Sequence, residues 1–111
     1  MTLENFVNST GFEIVNKGED LSRELSKVFC CDLLSLVMSK NPNNSVWVTV
    51  MGNVNTIAVC VLTDGGCIIL AENANLDANA MTKAAEQNVT VLRTPLPVFE
   101  AALEAHKLIG A

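Results

Sequence analysis

Along this chain, short runs of consecutive apolar residues alternate with segments whose apolar positions recur at helical spacing. Leu3, Phe6 and Val7 share one face of a helix predicted over residues 2–10, with Thr2 as its cap and Gly11 as its end. Residues 12–15 read as a short strand, and Asn16-Lys17-Gly18 as a turn. GEDLSREL, from Gly18 to Leu25, fits either a helical turn or a charged loop. A buried strand follows at 27–31, then Asp32, placed to cap a helix over 33–39. NPNN at 41–44 is a strong breaker.

The second half repeats one motif three times. A strand rich in β-branched residues at 46–51 turns at Gly52-Asn53 into a helix over 54–63. That helix is apolar on nearly every side, which predicts a central position or a subunit interface. Asp64-Gly65-Gly66 stops it, and an all-apolar strand follows at 67–71. Asp77 starts a helix with Ala80, Met81, Ala84 and Ala85 on its face, ending at Asn88. After a strand at 90–92, Thr94-Pro95 opens the last helix, whose faces carry Val98, Ala102, Ala105 and Ile109, with Phe99 and Leu103 beside them. Strand followed by helix, three times over, predicts an α/β fold with a mostly parallel sheet covered by helices and 12–15 as an edge. Ligands of such sheets gather outside the carboxyl ends of the strands.

Composition narrows the picture. The 111 residues suit one domain over 1–111, and with 50% of them hydrophobic a core forms without disulfides or metal. The net charge of −5, with scattered Lys and Arg, lacks the basic patch that neutralises nucleic-acid phosphates. The amino terminus has no basic n-region, and no apolar run approaches the ~20 residues of a membrane helix, so the expected location is cytoplasmic, with no nucleic acid and no membrane as partner. Cys30, Cys31, Cys60 and Cys67 form no CxxC pair, which argues against zinc and iron–sulfur sites. Cys60 and Cys67 read as small buried hydrophobes. Adjacent Cys30 and Cys31 would bridge only with strain.

The candidate chemistry sits at strand ends. Gly52-Asn53-Val54-Asn55-Thr56 leads into a helix whose free N–H groups suit an anion, with Asn53 and Asn55 adding amide donors. The plain alternative is that Asn53 turns the chain and Asn55 or Thr56 caps the helix. Asp32 suits a ribose hydroxyl or a cation, or is simply a cap. Glu72 follows CIIL, and Arg93-Thr94 follows TVL. Arg93, a fixed bidentate fork, is the natural partner of a phosphate or carboxylate. Its plain alternative is a surface arginine, solvated or paired with Glu72. His106 is the only histidine and falls near an apolar stripe, which predicts partial burial. No serine lies in a G-x-S-x-G context, no catalytic residues stand out and no cofactor is called for.

The stretches CDLLSLVM at 31–38, WVTVMGNVNTIAVCVL at 47–62, CIILAEN at 67–73 and KAAEQNVTVLRTPLPVFEAA at 83–102 resemble the DRTGG domain family. They are most similar to stand-alone members that accompany iron-hydrogenase subunits, and more distantly to the amino-terminal domain of HPr kinase/phosphorylase. Elsewhere the domain is attached to phosphotransacetylases or CBS domains. The name-giving string is absent, and TDGG at 63–66 is a loose echo. The resemblance implies a three-layer α/β domain with a regulatory, non-catalytic role. Residues and resemblance together predict a module that binds a small anionic ligand, such as a nucleotide, around Asp32, Asn53, Asn55, Glu72, Arg93 and Thr94. The alternative is an adaptor that docks onto an oxidoreductase of the hydrogenase type. The excess of apolar residues predicts a homodimer or higher homo-oligomer, with helices 54–63 and 97–109 as interface candidates.

Overall fold

Two strands of the computed structural model, which describes residues 1–110, have every side chain buried. They are β3 (Val46–Thr49) and β4 (Cys67–Leu70). Continuous apolar runs of this kind belong to strands covered on both faces. Around them stand β1 (Glu13–Asn16), β2 (Val28–Cys30) and β5 (Val91–Arg93), in a five-stranded sheet of order β1-β5-β4-β3-β2. The β2–β3, β3–β4 and β4–β5 pairs are parallel, and β1 pairs antiparallel with β5. The predicted α/β class, the mostly parallel sheet and the edge strand near 12–15 are all present.

The helices are α1 (Leu3–Thr10), α2 (Leu34–Lys40), α3 (Val54–Leu62), α4 (Ala78–Gln87) and α5 (Val98–Ile109). The crossovers β2–α2–β3, β3–α3–β4 and β4–α4–β5 each step one strand in the same direction. Connections of one hand then deliver all three helices to one face. Val37 of α2, Ile57 and Cys60 of α3, and Ala80 and Ala84 of α4 accordingly share one core with Trp47, Ile68 and Val91. The opposite face would be bare without the two chain ends. Leu3, Phe6 and Val7 of α1 and Ala101 and Ala105 of α5 cover it, packing on Val48, Ile69 and Leu92. The result is three layers. Alanines at the contact lines of α4 and α5 let both helices approach the sheet closely.

Local rules account for most boundaries. Thr2 accepts from the Asn5 amide and Gly11 ends α1 in the left-handed region. Asp77 accepts from the Ala80 amide and opens α4, which Asn88 closes at φ 57°. Segment 18–25 takes the loop alternative, with a lone bridge between Thr2 and Glu24 and no helix.

Some expectations were displaced. The last helix starts at Val98 rather than at Thr94-Pro95, because Leu96 precedes Pro97 and a residue before proline is pushed out of the helical region. Met81 and Ala85 of α4 are exposed, leaving Ala80 and Ala84 as its buried line. His106 is exposed too. The helix at 54–63 buries Thr56, Ile57, Val59 and Cys60 but presents Val54, Val61 and Leu62 to solvent. Among the described residues no helix is long and apolar enough to cross a membrane.

Ile69 lies in mid-strand, fully buried, opposite Val48 on one side and Leu92 on the other. Ile69→Asp sets an unpaired carboxylate between them at a cost of several kcal/mol, comparable to the ~5–15 kcal/mol that holds a whole domain together. The expected outcome is loss of the cooperative thermal transition in circular dichroism.

Candidate functional site at the carboxyl edge of the sheet

All six sequence-predicted residues lie at the carboxyl ends of the parallel strands or in the turns that leave them. They are spread along that edge. Asp32 follows β2 and Arg93 ends β5, three strand spacings or about 14 Å apart. Glu72, Arg93 and Thr94 come together, because β4 and β5 are neighbours with Leu70 opposite Arg93. The chain leaves β4 for the α4 face and leaves β5 for the α5 face. Their carboxyl ends therefore form the divide at which α/β sheets open a crevice.

Hydrogen bonds stitch this divide. The Glu72 and Asn73 amides donate to the Leu96 and Thr94 carbonyls, at 2.9 and 2.8 Å. Glu72 and Asn73 reach that geometry with φ of 55° each, in the left-handed region. Thr94 is buried; its amide donates to Leu70 and its hydroxyl accepts from the Leu96 amide. The 72–77 loop also leans on the β3–α3 turn, where the Asp77 amide donates to the Gly52 carbonyl at 2.9 Å. The approach is so close that a Cβ on Gly52 would fall 1.9 Å from the Asn75 carbonyl oxygen.

Arg93 is the cation of the divide. Its Nη2 donates to both carboxylate oxygens of Glu13, at 3.0 and 2.8 Å, and its Nη1 to the Asn75 side chain. Its Nε is buried and has no hydrogen-bond partner among the described residues. The partner is therefore Glu13, directly across the antiparallel β1–β5 pair, and not Glu72.

Asp32 does not cap α2. Its carboxylate accepts from the Thr49 hydroxyl at 2.6 Å and the Val50 amide at 3.1 Å, while Leu33 holds the cap position without a side-chain bond. Two donors at the end of the adjacent strand win over the local cap. Asn53, rather than Asn55 or Thr56, caps α3, accepting from the Thr56 amide at 3.1 Å. Asn55 is exposed in the first turn of that helix. Sequence reasoning missed Glu13, Asn75 and Thr49. Nothing local flags a pair 80 residues apart.

A separate cleft of about 180 Å³ opens at the opposite, amino edge of the sheet, lined by Asp20, Arg23, Cys60, Val61, Asp64 and Asn88 among others. Arg23 fastens the amino-terminal segment there. Its Nη1 donates to the Gly65 carbonyl at 2.7 Å and its Nη2 to the Asp64 carboxylate, also at 2.7 Å. Among the described residues no three His, Cys, Asp or Glu side chains are grouped to hold a metal ion.

These features were compared with known proteins. The model of the DRTGG domain matches residues 5–108. The chain belongs to the DRTGG domain family. A search of the curated proteins found none that matches this DRTGG domain. Among solved structures, its fold is similar to the crystal structure of the CBS and DRTGG domains of the regulatory region of Clostridium perfringens pyrophosphatase, complexed with the activator diadenosine tetraphosphate. The TM-score is 0.75 at 16% identity, over 94% of this chain and 45% of that one. At that identity the likeness concerns the fold, and this DRTGG domain spans less than half of the pyrophosphatase chain.

The four thiols differ by burial. Burial pushes the Cys60 thiol up to about 12, and drives the fully buried Cys67 higher still, with Cys60 beside it adding to the shift. Cys30 is exposed, and partial desolvation followed by the charge of Asp32 raises it more modestly. At pH 8 a maleimide should label Cys30 first and leave Cys60 and Cys67 unmodified until the protein unfolds. Both buried thiols titrate higher in the folded state than the 9.0 of a free thiol. Well below pH 9 both states keep them protonated. Above it the unfolded chain releases protons that the folded chain keeps, so stability should fall by about 1.4 kcal/mol per pH unit for each thiol. Urea denaturation between pH 10 and 11 measures the slope, and Cys60→Ala should make it shallower by about 1.4 kcal/mol per pH unit.

Proposed function

We propose that this DRTGG domain is a non-catalytic regulatory module that senses a small anionic ligand of the nucleotide class at the carboxyl edge of its sheet. The observation that carries this reading is Arg93, a guanidinium at the β4–β5 divide whose Nε is buried and unpaired. A buried donor without a partner costs about 1–3 kcal/mol, which a phosphate oxygen would recover. Asn55 adds a free amide in the first turn of α3, where an anion is favoured. Asn53 and Thr94 line the approach, and Asp32 and Glu72 are acceptors for ribose hydroxyls. Glu13 holds the guanidinium meanwhile. A ligand phosphate competes with Glu13, and binding thereby reaches β1. The nucleotide activator of the Clostridium perfringens pyrophosphatase regulatory region supports the ligand class.

A panel of nucleotides, inorganic phosphate and acyl phosphates in a thermal-shift assay tests this. A ligand at one hundred times its Kd adds about 2.7 kcal/mol, which is several degrees for a domain of this size. Arg93→Ala and Asn55→Ala should abolish the shift while keeping the fold. Glu13→Gln should enlarge it. A panel without any shift sinks the ligand reading.

A second reading, docking, has its own observation. The outer side of the helical layer exposes Leu33, Leu36, Val54, Val61 and Leu62, and α3 carries no charged residue. Phe99 and Leu103 of α5 are exposed on the other layer. Such surfaces support self-association, or attachment to an oxidoreductase of the hydrogenase type. Light scattering should give twice the 11.9 kDa of one chain, and Leu62→Asp should return it to one. A monomeric wild type at micromolar concentration refutes the dimer.

A further inference from the structure

The cleft at the amino edge takes no part in that reading, and its construction differs from that of a surface dimple. The segment 18–23 contributes Asp20 and Arg23 to its lining and is a strap fastened at both ends. At one end the Gly18 amide donates to the Thr90 hydroxyl at 3.0 Å, and a Cβ on Gly18 would lie 2.3 Å from the Asn88 carbonyl oxygen. At the other, Arg23 grips Asp64 and Gly65. Asp20 lies on the strap between these fastenings and lines the cleft.

The charges within the cleft favour a cation. Arg23 and Asp64 offset each other. Asp20 has no cationic side chain paired with it; Ser22 alone bonds its carboxylate, through hydroxyl and amide, and holds it below the usual carboxylate range. The carboxyl ends of α3 and α4 both terminate here, each contributing about half a negative charge. Counted together, Asp20, Asp64 and Arg23 leave one net negative charge on the cleft.

The cleft also has an apolar extension. Val61 and Gln87 line it and equally line a groove of about 260 Å³ between α3 and α4, together with Ala58, Leu62 and Lys83. The cleft and the apolar groove thus adjoin at Val61 and Gln87, with the Lys83 ammonium on the groove's lining.

We propose that cleft and groove together bind an organic monocation, with its guanidinium or ammonium group at Asp20 and its short apolar body along Ala58, Val61 and Leu62. Lys83 disfavours a second positive charge at the far end, so a diamine is rejected. The site is independent of Arg93 and of the nucleotide reading, and it competes with the self-association surface, which uses the same Val61 and Leu62.

The test is a titration of the 15N-labelled protein followed by amide chemical shifts. Three probes are used: n-butylguanidinium, 1,4-diaminobutane and n-butyl phosphate. Butylguanidinium should give saturable shifts at Val61, Gly65, Gln87 and Asn88, and the other two should not. Asp20→Asn, at an exposed position, should raise its Kd about tenfold, the size of one charge-assisted hydrogen bond. Leu62→Ala should weaken butylguanidinium but leave guanidinium itself unchanged. Arg93→Ala should alter none of these results, which separates this site from the carboxyl edge. Equal binding of butyl phosphate, shifts scattered over the molecule, or an Asp20→Asn Kd equal to wild type would each overturn the proposal.

Discussion

Keeping water from both faces of β3 and β4 is the constraint on which the rest of the molecule depends. Eight strand positions, four consecutive ones in each, are fully buried. A crossover in one direction repeated three times covers one face and leaves the other open. The chain therefore needs its two ends. α1 and α5, which lie outside the three crossovers, close the second face. The functional geometry follows from the same economy of elements. Because α5 goes to the side that α4 does not occupy, the β4–β5 carboxyl ends become a divide between helices on opposite faces, and Arg93 stands there.

Two arginines fasten the first quarter of the chain to the repeating unit. Arg93 holds β1 through Glu13 at the carboxyl edge, and Arg23 holds the 18–25 loop through Asp64 and Gly65 at the amino edge. Neither ion pair is deeply buried, with the carboxylates more than half exposed. Solvent screening leaves each about 0–1 kcal/mol. The apolar contacts of Leu3, Phe6 and Val7 supply the stability, and the arginines set where the segment lies.

Much of this was legible in the residues. β-branched and all-apolar runs announced the strands, and Asp77, Thr2 and Gly11 announced helix ends, because those signals act over four residues or fewer. The misreadings share one cause. Asp32 obeys every local rule for a cap, yet Thr49 and Val50, 17 and 18 residues away, offer it two better-placed donors. Pro95 looked like a first-turn proline, and Pro97 moved the helix start three positions beyond it. Arg93 was recognisable as an anion receptor, but Glu13 became its partner through an antiparallel pairing that no periodicity encodes. The Arg23 cleft was invisible for the same reason. Its walls come from four segments, and its strap lies in the stretch with the least regular pattern.

The edge around Arg93 is acidic as a whole. Glu13, Asp32, Glu72 and Asp77 stand there against one guanidinium. Long-range attraction therefore contributes nothing to an approaching anion, and in the proposed exchange affinity must come from contact. The geometry of the present pair makes that exchange feasible. Glu13 spends both oxygens on Nη2 alone and leaves Nε without a partner. A carboxylate fixed on β1 cannot reach round the fork, whereas a phosphate has three terminal oxygens and can engage Nε and an Nη together. The ligand then gains the bond that Glu13 leaves unmade and displaces a pair that solvent has already weakened. Preference for a free bidentate anion over the tethered Glu13 would follow from this one unsatisfied nitrogen, and the released Glu13 would carry the signal to the edge strand.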